Sequence, residues 1–178
     1  MDWDVYQANL SHTQAEIIMQ INRKNFPNFN MDWSNNPNKV LITGGEIGIL
    51  DLSQRTYSKV SSDKTFTWGK WSSSGQEAVA TDSEGGVWLY KSGNLTKMPF
   101  NTSAKLVDFV DFSTLAAVSS GRPIKYNFDT QQKMNYAEVK GLAKSTDFLV
   151  KDDLFYFSSA DGVFSGKFEA QGYQENSK

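Results

Sequence analysis

Bulky side chains recur along this chain at a nearly fixed step. Trp33, Trp71, Phe109 and Phe148 lie 38, 38 and 39 residues apart, and a second row, Ile49, Trp88, Tyr126 and Phe164, keeps steps of 39, 38 and 38. Two anchors held in register through four periods restrict the fold to architectures built from stacked copies of one small unit. A single unit of this size cannot bury its own apolar face, so each copy must pack on its neighbours.

The content of each period is strand. In the second repeat, Phe66–Ser72 alternates as a strand and the Gly-containing turn Ser73–Gln76 leads into Glu77–Thr81. Asp82–Gly86 then reverses the chain into Val87–Tyr90, and Ser92–Asn94 turns it into Leu95–Met98. The first repeat maps as 30–34, 40–43, 48–52 and 57–60, with Val40-Leu41-Ile42 apolar on both faces, as a strand between two packed sheets requires. The third maps as 106–110, 115–118, 124–128 and 136–139. The fourth maps as 148–150, 154–157 and 163–168, with a last strand near Tyr173. Four short strands per period predict an all-β fold, a β-propeller with four-stranded blades.

Ahead of the first repeat, Trp3–Gln7 and Glu16–Ile21 flank a polar turn around Ser11-His12-Thr13. They read as the third and fourth strands of a blade; a helix over 13–24, started by a Thr13/Glu16 capping box, is the alternative. The expected plan is one domain: a half blade over 1–24, then repeats over about 25–62, 63–100, 101–140 and 141–178. Four blades and a half leave strand edges unpaired, which invites association. Closure comes from a larger propeller, from a protein partner or second copy completing the open blade, or from a mixed blade within a small ring.

Composition excludes several function classes. Lys and Arg number 18 against 20 Asp and Glu, a net charge of −2, which gives no broad positive field for nucleic acid. Without cysteine there are no disulfides, thiol nucleophiles or Cys-bound metals, and no cofactor or metal motif stands out. The N-terminus has no basic, apolar leader and no stretch is of membrane-spanning length, so the chain as written reads as cytoplasmic, with an extracytoplasmic location the alternative if it is a fragment of a longer protein. The N-x-[ST] triplets at Asn9, Asn94 and Asn101 are what this composition yields by chance.

Met31-Asp32-Trp33-Ser34 with Val40-Leu41-Ile42, and Gly69–Ala80 with its own Trp71-Ser72 pair, resemble the WD40-like repeats of TolB-type propellers. In that family a Trp-Ser pair ends the first strand, a Pro-Asp-Gly turn follows and an apolar second strand comes next; here Asn35–Asn38 and Ser73-Ser74-Gly75 occupy the turn. The resemblance implies a binding platform and names no partner. Thr81–Trp88 also resembles the Asp-box of sialidase-type propellers, without its Thr and in a single copy.

No catalytic constellation emerges. His12, the only histidine, sits in a polar turn with no orienting partner in the sequence. Asp108 and Asp111, three apart on a strand, point to opposite faces, and Asp152-Asp153 reads as a hairpin turn. Asp82, Glu84 and Asp161 fit turns better than a calcium loop. Lys24, Lys64, Lys105 and Lys144 recur at 40, 41 and 39 residues on the loops expected to join blades, with Arg23 beside the first. These cations would share one rim and suit an anionic surface on a partner, although Glu46, Asp82, Glu84 and Asp161 fall on neighbouring loops. The sequence therefore points to a non-catalytic protein-interaction scaffold within a larger assembly. The alternatives are a glycan-binding or glycan-hydrolysing propeller and a purely structural propeller segment.

Overall fold

A computed structural model describes residues 2–8 and 15–169. The chain divides into two compact units, Met1–Lys97 and Met98–Lys178.

In the first unit, β1 (Trp3–Ala8) and β2 (Ala15–Ile21) pair as an antiparallel two-stranded sheet, so the strand reading of this segment holds over the helical one. Between Val5↔Met19 and Tyr6↔Ile17 the register slips by one residue at Ile18, a bulge that bends the pair. The strands β3 (Asn30–Trp33), β4 (Lys39–Thr43), β5 (Gly45–Asp51), β6 (Thr56–Trp71), β7 (Glu77–Asp82), β8 (Gly86–Lys91) and β9 (Asn94–Asn101) follow one another in a single sheet.

That sheet holds two blades joined by one continuous strand. The sequence predicts separate strands at 57–60 and 66–72, but β6 runs unbroken for 16 residues. No Gly or Pro interrupts Ser53–Trp68, and Thr56, Tyr57, Val60, Thr65, Phe66 and Thr67 at either end of the segment favour the extended backbone. Its first part pairs with β5 and its second with β7.

Strand β4 shows why both its faces are apolar. Val40 and Ile42 join Ile21, Phe26 and Leu50 in one cluster, with Trp3, Val5, Met19 and Phe29 at its margin. Leu41 points the other way, into a cluster of Ile47, Phe66, Trp71, Ala78 and Ala80. Gly44 and Gly45, at φ 108° and 154°, let the connecting segment 25–28 lie directly on the β4–β5 hairpin. A Cβ on either would run into the Asn28 or Asn25 carbonyl oxygen.

In the second unit, β10 (Val107–Phe109), β11 (Thr114–Ser119), β12 (Arg122–Asn127) and β13 (Gln132–Asn135) form a four-stranded sheet, and β14 (Asp147–Lys151), β15 (Leu154–Ser159) and β16 (Gly162–Lys167) a three-stranded one. Leu106, Ala116 and Val118 pack on Phe148, Phe155 and Phe157, with Leu142 between them. Leu142 comes from a single 3-10 turn, Leu142–Lys144, that sequence periodicity does not mark.

The fourth strand of the third repeat is placed at 136–139 by sequence and forms at 132–135 instead. The Asn127 side-chain oxygen accepts the N–H groups of Asp129 and Thr130 at 3.1 and 2.8 Å, so the chain reverses at once and Gln132 pairs with Asn127. All four residues of β13 are exposed, which removes the apolar signal by which a strand is recognised. The strand expected near Tyr173 lies outside the described residues, as do Asn9 and His12.

Candidate interaction surface

Within each unit, neighbouring blades are tied by an aspartate in the first strand. Asp32 of β3 accepts the backbone N–H of Trp71 at 2.7 Å, and Asp108 of β10 accepts that of Val150 at 2.9 Å. Both stand immediately before an anchor residue, Trp33 or Phe109. Asp108 is buried, and its other oxygen accepts the Phe109 N–H at 2.9 Å, so its carboxylate is a structural tie rather than an acid in a cleft. The ties give a second way to align the repeats. Val150 holds the place that Trp71 holds in the earlier pair, and Phe148 lies two residues before it.

The anchors in that register differ in what covers them. Trp71 points back onto the first blade, packs among Leu41, Ile47 and Phe66, and is 5% exposed. Trp33 occupies the same position one repeat earlier: Trp33 pairs with Val40 as Trp71 pairs with Ala78. It points toward the β1–β2 side and is 51% exposed. Trp71 has four strands to pack against; Trp33 faces a sheet of two described strands.

The shortfall leaves a groove of about 380 Å³ lined by Trp3, Tyr6, Phe29, Met31 and Trp33 over a floor of Val40 and Leu50. Met31 and Tyr6 are 47% and 55% exposed. Trp3 is fixed at the margin: its indole N–H donates to the Phe26 carbonyl at 2.9 Å, its ring lies 5.8 Å from that of Phe29, and the Arg23 guanidinium stacks 5.0 Å from its centroid. Asp4 is the one charged residue among those lining the groove. It accepts a hydrogen bond from Gln20 at 2.9 Å. Along its edge away from β2, β1 pairs with no strand among the described residues.

The remaining anchors follow no single pattern of burial. Phe148 and Tyr126 are buried, Ile49, Trp88 and Phe109 are half-buried, and Phe164 is exposed with its ring stacked 5.3 Å from Phe157. Phe164 lies on β16, whose residues are exposed almost throughout.

The repeated lysines do not share one setting. Lys24 lies in a turn beside Arg23, and Lys64 within the continuous strand β6 rather than in a loop. Lys105 sits in a turn at φ 65°, and Lys144 ends the 3-10 turn. Lys64 is 3.0 Å from Glu84 and Lys105 4.0 Å from Asp147. The hydrogen bond and charge of Glu84 raise the Lys64 pKa above the ordinary lysine value. Two of the four positive charges thus have local counter-ions.

The acidic candidates are bound up in turns. Asp82 is buried and accepts the N–H groups of Glu84 at 2.9 Å and Gly86 at 2.7 Å, and the Trp88 indole N–H at 2.8 Å. Burial works to raise its pKa, but the bonds from Trp88, Gly86 and Glu84, with the Lys64 charge, outweigh it and hold the carboxyl below its ordinary value. Asp152 and Asp153 form the tight turn between β14 and β15 at φ 52° and 61°, and Asp153 lies 3.8 Å from Lys125. Glu46 accepts from the Tyr57 hydroxyl at 3.4 Å and is 3.7 Å from Lys59.

Comparison with known proteins agrees with this arrangement of sheets. No protein-family model and no curated protein matches the chain. Among solved structures, a chain of a nidogen/laminin complex superposes with a TM-score of 0.67 at 11% identity, over 93% of this chain and 68% of that one. The computationally designed Ika4 protein gives 0.59 at 15% identity, over 78% and 89%. A protein of unknown function from Bacteroides thetaiotaomicron VPI-5482 gives 0.57 at 14%, over 75% and 40%. The fold is that of a β-propeller. Among the described residues, the two-stranded and three-stranded sheets are the open sheets of a partial one.

Proposed function

We propose that this chain is a non-catalytic protein-interaction module, and that its contact surface is the groove beside β1. The reading rests on one observation: Trp33 is half exposed in a register where Trp71 is buried. Exposing a large aromatic side chain beside Tyr6, Met31 and an open strand edge forfeits burial that the fold achieves one repeat later. Such a surface is what a partner would cover. The Trp-Ser turns support the finer resemblance to TolB-type repeats. Ser34 donates its hydroxyl to the Asn36 carbonyl at 2.9 Å, and Ser72 and Ser74 donate theirs to Glu77 at 3.1 and 2.8 Å, each turn closing without the Pro-Asp-Gly sequence.

Photo-crosslinking tests the reading. A benzophenone side chain at position 33 should form an adduct with a protein in extracts of the source organism. The same group at position 59, on the exposed part of β6, should not. The identified protein, purified, must then reproduce the adduct. Equal labelling from both positions overturns the reading. Saturable oligosaccharide binding that shifts the Trp33 indole would replace it with the glycan alternative.

A further inference from the structure

The next blade in the chain shows what fills such a groove. Around Trp71 the cover comes from Leu41 on β4 and from Ile47 and Ile49 on β5, two adjacent antiparallel strands of one sheet. Around Trp33, β1 supplies Trp3 and Val5 in the place of Ile47 and Ile49. No described strand stands where β4 would stand, next to β1 on its open edge.

Resting on the interaction reading above, we infer that the groove takes an extended segment of a partner protein, paired antiparallel with β1 and carrying apolar and basic residues in alternation. The alternation follows from the two faces of β1. Trp3 and Val5 face the core, so residues of the added strand on that side meet Trp33, Met31, Val40 and Leu50 and must be aliphatic. Asp4 and Tyr6 border the groove along β1, but their side chains are exposed where those of Trp3 and Val5 are half-buried, as alternation along a strand places them on its other face. Asp4 has a polar neighbour, Gln20, on the β2 side and no described strand on the other. A Lys or Arg opposite Asp4 would complete that cross-strand row, and Tyr6 offers its ring to the same cation. Arg23 is committed to the Trp3 face. The alternation also distinguishes this occupant from a copy of β4, whose own segment Val40-Leu41-Ile42 is apolar on both sides because sheets cover both.

The test uses three peptides and the whole chain. The first alternates valine with lysine, the second carries glutamate for each lysine, and the third is the first with its backbone N-methylated at alternate residues. Binding is read from the indole resonances, where Trp3 and Trp33 should move while Trp68, Trp71 and Trp88 stay, and from slowed amide exchange in Trp3–Ala8. The lysine peptide should bind about fivefold more tightly than the glutamate peptide, the size of an exposed ion pair. Asp4→Asn should erase that difference without abolishing binding, and the N-methylated peptide should not bind, because its ladder hydrogen bonds are gone. Equal binding of lysine and glutamate peptides overturns the charge pattern, and binding of the N-methylated peptide overturns strand pairing. Either result leaves the interaction reading to its crosslinking test. Failure of all three to move Trp3 or Trp33 overturns the inference, as does a concentration-dependent dimer of the chain alone that buries Trp33.

Discussion

Trp33 and Trp71 are the same residue type in the same strand position with the same pairing. They differ tenfold in exposure, at 51% and 5%. Nothing in their immediate sequence accounts for this, since each precedes a serine that caps a turn. The difference lies in the preceding sheet, which has two described strands for Trp33, whereas Trp71 backs onto the blade β3–β6. A repeat position therefore specifies a direction and a shape, and the neighbour decides whether the side chain becomes core or contact surface.

The contrast sets the order of expected effects. Trp71→Ala should be the most damaging change, costing about 3–5 kcal/mol in urea unfolding as an aromatic cavity in a closed core. Trp33→Ala should cost under about 1 kcal/mol on the same scale, because half of the ring is already in water. Comparable losses would break the comparison. Next come the ties that hold blades in register. Asp32→Ala leaves the Trp71 N–H without its acceptor and should cost about 1–3 kcal/mol; Asp108→Ala should do the same to the Val150 N–H. Amide exchange at Trp71 and Val150, each accelerated only by its own variant, would show that the two ties are separate.

A smaller effect is expected at Asp82, where Asp82→Asn should lower stability by about 1 kcal/mol at neutral pH. Its carboxyl has a pKa held below the ordinary 3.8 in the folded protein. The stability it contributes is thus fully present above 3.8 and is lost as pH falls through the lower, folded-state value. The gap between wild type and Asp82→Asn should close in acid. Smallest of all, Lys64→Ala should leave unfolding unchanged within error, since the Lys64–Glu84 pair lies in solvent.

Much of this arrangement was legible in the sequence. The apolar run Val40-Leu41-Ile42 announced a strand covered on both faces, and turns rich in Gly, Asn and Ser placed most hairpins. The half blade was readable from β-branched Ile17, Ile18 and Ile21. What stayed hidden was whatever depends on backbone partners. Asp32 and Asp108 look like ordinary polar residues in strands, and only the fold brings a neighbouring blade's N–H to them. The unbroken β6 was missed because a strand serving two blades has no turn to mark it, and β13 because three of its four residues are polar and Met134 alone gives no alternation. The exposure of Trp33 was beyond reach of any local pattern, because it depends on the sheet that precedes it.

Hydrogen exchange at the tryptophan indoles tests the account most directly. The Trp71 indole N–H is buried without a partner among the described residues and should exchange only on opening of the core, whereas Trp33 should exchange at nearly the rate of a free indole in the isolated chain. Equal protection of the two would contradict the open groove on which the functional reading stands.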